Sequence, residues 1–177
     1  IPVIVAPHNM ALGGGCEISL HADKVVAHAE LYMGLVEFGV GLIPGGGGTK
    51  EFAKRFSEEL HSGDIKINRL RDRFLTVGQA KVSLSAYEAF DYGYLREGID
   101  EVVVSRAHHL TRAKAACLEL AEKGYVPPKR EKNITVVGQE GLGIVYVGAN
   151  SMLSGNYMSE HDKIIAEKLG FVLCGGD

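Results

Sequence analysis

The chain has 177 residues, 46% hydrophobic and 23% charged, the balance of an ordinary globular domain with enough length to bury one sizeable core. Its net charge of −3 gives no electrostatic reason to bind nucleic acid or an anionic membrane surface, and no uninterrupted apolar run is long enough to span a bilayer. The three cysteines (Cys16, Cys117, Cys174) form no CxxC pair and the seven histidines show no HExxH spacing, which argues against a disulfide framework or a zinc site and for a reducing, cytoplasmic setting.

Ile1-Pro2-Val3-Ile4-Val5-Ala6 reads as a buried strand, with no basic stretch ahead of it of the kind a secretory leader needs. Pro7-His8-Asn9-Met10 reads as a turn. The run Ala11-Leu12-Gly13-Gly14-Gly15-Cys16-Glu17 reads as a tight backbone passage feeding a short helix, with Asp23 near its end. Lys24 to His28 is a second strand, and Leu31 to Met33 starts a third. A glycine-dense loop follows from Gly34 to Thr49. Beyond Thr49 a helix is predicted, because Phe52 and Phe56 fall on one face at i, i+4.

Residues 57–76 are polar and charged, and their periodicity leaves their state open. Ser85 and Glu88 suggest a capping box at the start of a helix. Glu101 to Val104 is predicted as a short strand, and Ser105 to Gly124 as an amphipathic helix with Leu110, Ala113, Cys117 and Leu120 on its buried face. Pro127-Pro128 and the charged residues after them mark a linker, 127–133. Then come a short strand, Ile134 to Val137, and a helix, Leu142 to Leu153. A last helix, Ser159 to Leu173, opens on Ser159 and Asp162 and carries Ile165, Leu169 and Val172 on one face.

Two glycine runs invite a phosphate-binding reading, and both fail on spacing. A phosphate loop needs G-x-x-x-x-G-K-[ST], whereas Gly48 is followed by Thr49-Lys50; the dinucleotide fingerprint fails at Lys50 and again at Tyr146. Two acids remain. Glu17 lies between Cys16 and Ile18, and Glu37 between Val36 and Phe38; an apolar setting helps a carboxyl hold its proton, which suits proton transfer near neutral pH. The plainer reading is a pair of surface carboxylates. Gly14, at the head of a helix, presents a backbone N–H where negative charge is favoured; the plainer reading is a glycine passage that only lets the helix pack.

ALGGGCE, an acid 20 positions after Glu17, and GLIPGGGGT together resemble the enoyl-CoA hydratase/isomerase (crotonase) superfamily over about residues 1–104. The resemblance implies an α/β crotonase-like fold, a superhelix of β-β-α turns incomplete at its N-terminus and followed by C-terminal helices. It divides the chain into core (1–104), long helix (105–126), linker (127–133) and helical region (134–177). It implies that Gly14 holds the thioester oxygen in an oxyanion hole, and that Glu17 and Glu37 share the acid–base work of adding water to a trans-2-enoyl-CoA. The expected partner is an acyl-CoA thioester, in a homo-oligomer.

Where the family shows Asn-Gly after its first strand, this chain has His8-Asn9; Asn tolerates a left-handed backbone, so the turn is expected to persist, with His8 structural. Lys50, Lys54 and Arg55 could reach a phosphate, but a solvated helix face is the preferred reading. The absence of an initiator Met and the abrupt ends suggest a piece of a longer polypeptide, weak or inactive alone. Tyr94-Leu95-Arg96, Gly-Tyr-Val-Pro-Pro at 124–128 and the Ser159-to-Asp177 tail resemble bifunctional β-oxidation proteins. That resemblance implies an upstream NAD-dependent 3-hydroxyacyl-CoA dehydrogenase module, and no cofactor in this part. Isomerisation or hydrolysis of acyl-CoA, or acyl-CoA binding without turnover, are the alternatives.

Overall fold

A computed structural model describes residues 1–129 and 131–176; Arg130 of the expected linker and Asp177 at the end of the helical region lie outside the described residues. The chain forms two compact units, Ile1–Gly34 with Val82–Lys132 and Leu35–Lys81 with Asn133–Asp177.

The first unit is built from a repeated step of two strands and a connection. Strands β1 (Ile4–Val5) and β2 (Asn9–Leu12) lead into helix α1 (Gly14–Leu20), and β3 (Lys24–His28) and β4 (Leu31–Gly34) follow. β1 pairs in parallel with β3, Ile4 opposite Lys24, and β2 in parallel with β4, Asn9 opposite Leu31. Successive steps therefore repeat at 24 − 4 = 20 and 31 − 9 = 22 residues. The strand β5 (Glu101–Val103) completes the order β1-β3-β5. Val25, Val26 and Ala27 are fully buried, as a strand paired on both edges and covered on its faces requires.

The turn expected over residues 7–10 is shorter than its sequence suggests. Asn9 and Met10 already belong to β2, paired with Leu31 and Tyr32. Asn9 takes the left-handed conformation, φ 56°, as its residue type allows. Pairing along β4 makes this segment a strand, although its own residues favour a turn.

Unit one closes through its second segment. Ser83 exchanges backbone and hydroxyl bonds with Met33, and helix α4 (Ala86–Asp91) starts at Ser85, whose hydroxyl accepts the Glu88 N–H. The Glu88 carboxylate accepts from Leu84 N–H at 2.6 Å, one residue ahead of the position a reciprocal capping box uses. Helix α5 (His109–Glu122), preceded by a 3-10 turn at Arg106–His108, packs on β1 and β3. Its buried face is His109, Ala113 and Ala116, while Leu110 is 68% exposed. Small alanines let the helix lie close on Val26, Ile4 and Val103, so closeness of approach has decided its rotation over side-chain hydrophobicity.

Unit two is helical. A 3-10 helix (Glu37–Val40) precedes α2 (Gly48–Glu58) and α3 (Lys66–Gly78), and α6 (Gln139–Ser154) and α7 (Glu160–Leu173) complete it. α7 packs against α2, α3 and α6. Its buried stripe is Ile165, Leu169 and Leu173, with Val172 38% exposed. Residues 134–137 are irregular; Val136 lies against the Gly175 backbone. α6 and α7 come together at Gly170, where an added Cβ would sit 2.7 Å from Val145 Cγ1. Ser159 and Asp162 form a full reciprocal capping box on α7.

Candidate active site

Gly14 and Glu17 share helix α1, which begins where the β2–β4 pairing ends at Leu12 and Gly34. Gly13 makes the bend with φ 53°, and its N–H donates to the Gly34 carbonyl at 2.9 Å. A side chain would strain that conformation. Gly14 is exposed at the start of α1, and a Cβ on it would meet nothing within 4 Å. Helix-starting N–H groups have no acceptor within their own helix and suit a developing negative charge.

Glu17 is 7% exposed, on the same side of α1 as fully buried Cys16 and nearly buried Leu20. Its N–H donates to Gly13 and its carbonyl meets His21 Nδ1 at 2.7 Å. Of its two apolar neighbours in sequence, Cys16 shares its burial, whereas Ile18 is 67% exposed. A carboxyl so far removed from water is costly unless it has a use or a partner.

Glu37 belongs to the other unit. It is half-buried and opens the 3-10 helix, and its carbonyl accepts the N–H groups of Gly41 and Leu42. Gly41, at φ 80°, ends that helix, and its carbonyl accepts a bond from His161 Nε2 of α7 at 2.8 Å. Gly39 sits against Ala80, just beyond α3. The turn bearing Glu37 is thus held by two helices, and His161 is a supporting residue that the sequence pattern did not reveal.

The remaining candidates take structural places. His8 Nε2 lies 2.9 Å from Arg106 Nη2, and its ring meets that of His109 edge-on. His109 Nε2 lies 2.7 Å from the Val26 carbonyl, so this nitrogen carries the proton and Nδ1 faces Arg106. The helix face read as solvated is so only in part. Lys50 pairs with Glu51 and Lys54 with Glu58, but Arg55 is 3% exposed. Among the described residues no cluster of three or more His, Cys, Asp or Glu could hold a metal ion, and no helix is long and apolar enough to cross a membrane.

No protein-family model matches the chain. A Bacillus subtilis protein named a probable 3-hydroxyacyl-CoA dehydrogenase is 44% identical over 175 residues, 99% of this chain and 22% of that protein. A Rickettsia felis protein named as a fatty acid oxidation complex trifunctional enzyme is 36% identical over 70% of this chain and 16% of its own length. The mouse mitochondrial methylglutaconyl-CoA hydratase is 43% identical over 60 residues, 34% of this chain and 19% of that protein. Among solved structures, a probable enoyl-CoA hydratase/isomerase from Mycobacterium abscessus aligns over 96% of this chain and 54% of its own, with a TM-score of 0.51 and 22% identity. The chain therefore spans about a fifth of the Bacillus subtilis relative and about half of the solved Mycobacterium abscessus chain.

Proposed function

The chain belongs to the enoyl-CoA hydratase/isomerase (crotonase) superfamily, and from that premise we propose that it forms part of a module adding water to a trans-2-enoyl-CoA thioester. The observation that carries this reading is a matched interval. Glu17 and Glu37 are 37 − 17 = 20 residues apart, the interval between paired residues of β1 and β3. That equal interval supports reading the two acids as a pair.

In this reading one carboxylate takes a proton from water as its oxygen bonds to C3. The other carboxyl delivers a proton to C2. The negative charge that passes onto the thioester oxygen is met by the Gly14 N–H, a contribution of a few kcal/mol if it resembles other such donors. Two acids suit hydration, which must both remove and supply a proton.

The test is Glu17→Gln and Glu37→Gln, each made in the full-length protein. Each is expected to lower kcat by about 10²–10⁴-fold with circular dichroism and melting temperature little changed. Near-normal hydration by both variants would overturn the assignment. Incubation with a 3-enoyl and a saturated acyl-CoA distinguishes isomerase and hydrolase from hydratase, and tight acyl-CoA binding without any turnover identifies a binding module.

The name of the Bacillus subtilis relative supports the further reading that a 3-hydroxyacyl-CoA dehydrogenase acts in the same polypeptide, on residues outside this chain, and that NAD binds there. Cytoplasmic location and self-association complete the proposal; well-exposed Val147 and Tyr157 are apolar surface that another copy could cover.

A further inference from the structure

Arg106 bonds two imidazoles at once. Its Nη2–H donates to His8 Nε2 at 2.9 Å, and its Nη1–H donates to His109 Nδ1 at 3.4 Å. A guanidinium carries only donors and has no acceptor to offer, so each of these ring nitrogens is the unprotonated one. His109 keeps its proton on Nε2, which donates to the Val26 carbonyl at 2.7 Å. Both rings are therefore neutral while the fork is closed. The fork joins three places in unit one: the residue ahead of β2, the 3-10 turn and the head of α5.

The surroundings supply no acid. His28, at the end of β3, sets its ring 5.7 Å from that of His109 and accepts the Glu30 N–H on Nδ1 at 3.2 Å. Its Nε2 is buried and has no hydrogen-bond partner among the described residues. Glu101 of β5 is taken up by Lys24 of β3 and Arg112 of α5, and Glu30 and His108 are exposed. Among the described residues no carboxylate bonds to His8, His28, Arg106 or His109. A proton added to either nitrogen that Arg106 holds would turn a donor–acceptor pair into two facing donors. It would also set a second positive charge against the guanidinium with no counter-charge beside it.

We propose that Arg106, His8 and His109 form an acid-released latch that ties the start of β2 to the head of α5. The proton is taken up where the fork is open, so the latch holds at higher pH and falling pH favours the open form. β2 runs on from His8 to Gly13 and into α1, so release frees the entry to the strand on which that helix hangs. The latch does not depend on the hydratase reading.

The test is hydrogen exchange in the full-length protein, corrected for intrinsic rate, at about pH 7.5 and about pH 5.5, on either side of the range where an ordinary imidazole takes up a proton. Segments 6–12 and 106–114 are expected to lose protection about tenfold or more at the lower pH, while α6 keeps its own. Arg106→Gln, at an exposed position, removes the fixed charge and offers an amide that can meet a ring in either protonation state; it should lose the acid response. His8→Gln, read on segment 6–12, keeps an acceptor for Arg106 that does not titrate, and serves if the Arg106 variant does not fold. Equal wild-type protection at both pH values overturns the latch. So does an acid response that persists in the folded variant, which would place its origin elsewhere, as at His28.

Discussion

Asp100 shows how much one side chain can hold. Its carboxylate accepts the N–H of Val25 at 2.7 Å, the N–H of Arg96 at 2.8 Å and the Arg96 guanidinium at 3.0 and 3.1 Å, while Arg96 also donates to the carbonyls of Ala22 and Asp23. Asp100→Ala leaves the half-buried Arg96 without its carboxylate and two N–H groups without an acceptor, at a cost of about 1–3 kcal/mol; denaturant titration should show an unfolding free energy lower by that amount. Arg96 was legible as part of a family-like Tyr-Leu-Arg run, but its work was not, because two of its acceptors, the Ala22 and Asp23 carbonyls, lie over 70 residues away. His161 poses the same difficulty, since its acceptor, Gly41, is 120 residues distant. Removing its bond in His161→Ala frees the Glu37 turn on one side. In the proposed reaction Glu37 handles a proton, and misplacing such a group by about 1 Å can cost on the order of 10²-fold, so kcat of the full-length protein should fall while the melting temperature and KM change little. Unchanged kcat would relegate His161 to surface decoration.

Elements were readable where local chemistry dictates them. The α7 capping box was visible as Ser159 and Asp162 because both partners lie within one turn. Ser159→Ala should destabilise by about 1 kcal/mol, seen as a lower melting temperature. The Asp162 carboxyl is held below its ordinary value of 3.8, chiefly by the Ser159 N–H and also by its hydroxyl. A lowered native value means the stabilisation exists above the unfolded pKa and is lost as pH falls through the native one. The difference in melting temperature between wild type and Asp162→Ala should therefore be full near neutral pH and shrink below about pH 4; a gap that widened in acid would contradict the cap.

β2 and α3 were less legible for opposite reasons. β2 lacks strand-like residues and is made a strand by its pairing with β4, a contact 22 residues away. α3 did carry a signal, Ile67, Leu70, Phe74 and Val77 at spacings of three and four, but Lys66, Arg69, Arg71, Asp72 and Arg73 between them obscured it. The rotation of α5 was mistaken because hydrophobic periodicity favours the larger side chain. Close packing against β3 favoured alanine.

At the scale of the whole molecule, the β-β-α steps were legible only through the family resemblance of ALGGGCE and GLIPGGGGT, since successive steps match in backbone pairing and not in residue type. The division into two units was not, because it depends on segments that meet after long detours. Each unit draws on two stretches of chain, and the stretches alternate: 1–34, 35–81, 82–132, 133–177. Neither unit can be excised as one continuous piece. On a ribosome the first would wait, its early strands without their later covering, until residue 132 had emerged; the second would wait for the C-terminal helices. Synthesis order and assembly order are thereby uncoupled, and a truncation anywhere after residue 82 leaves at least one half-built.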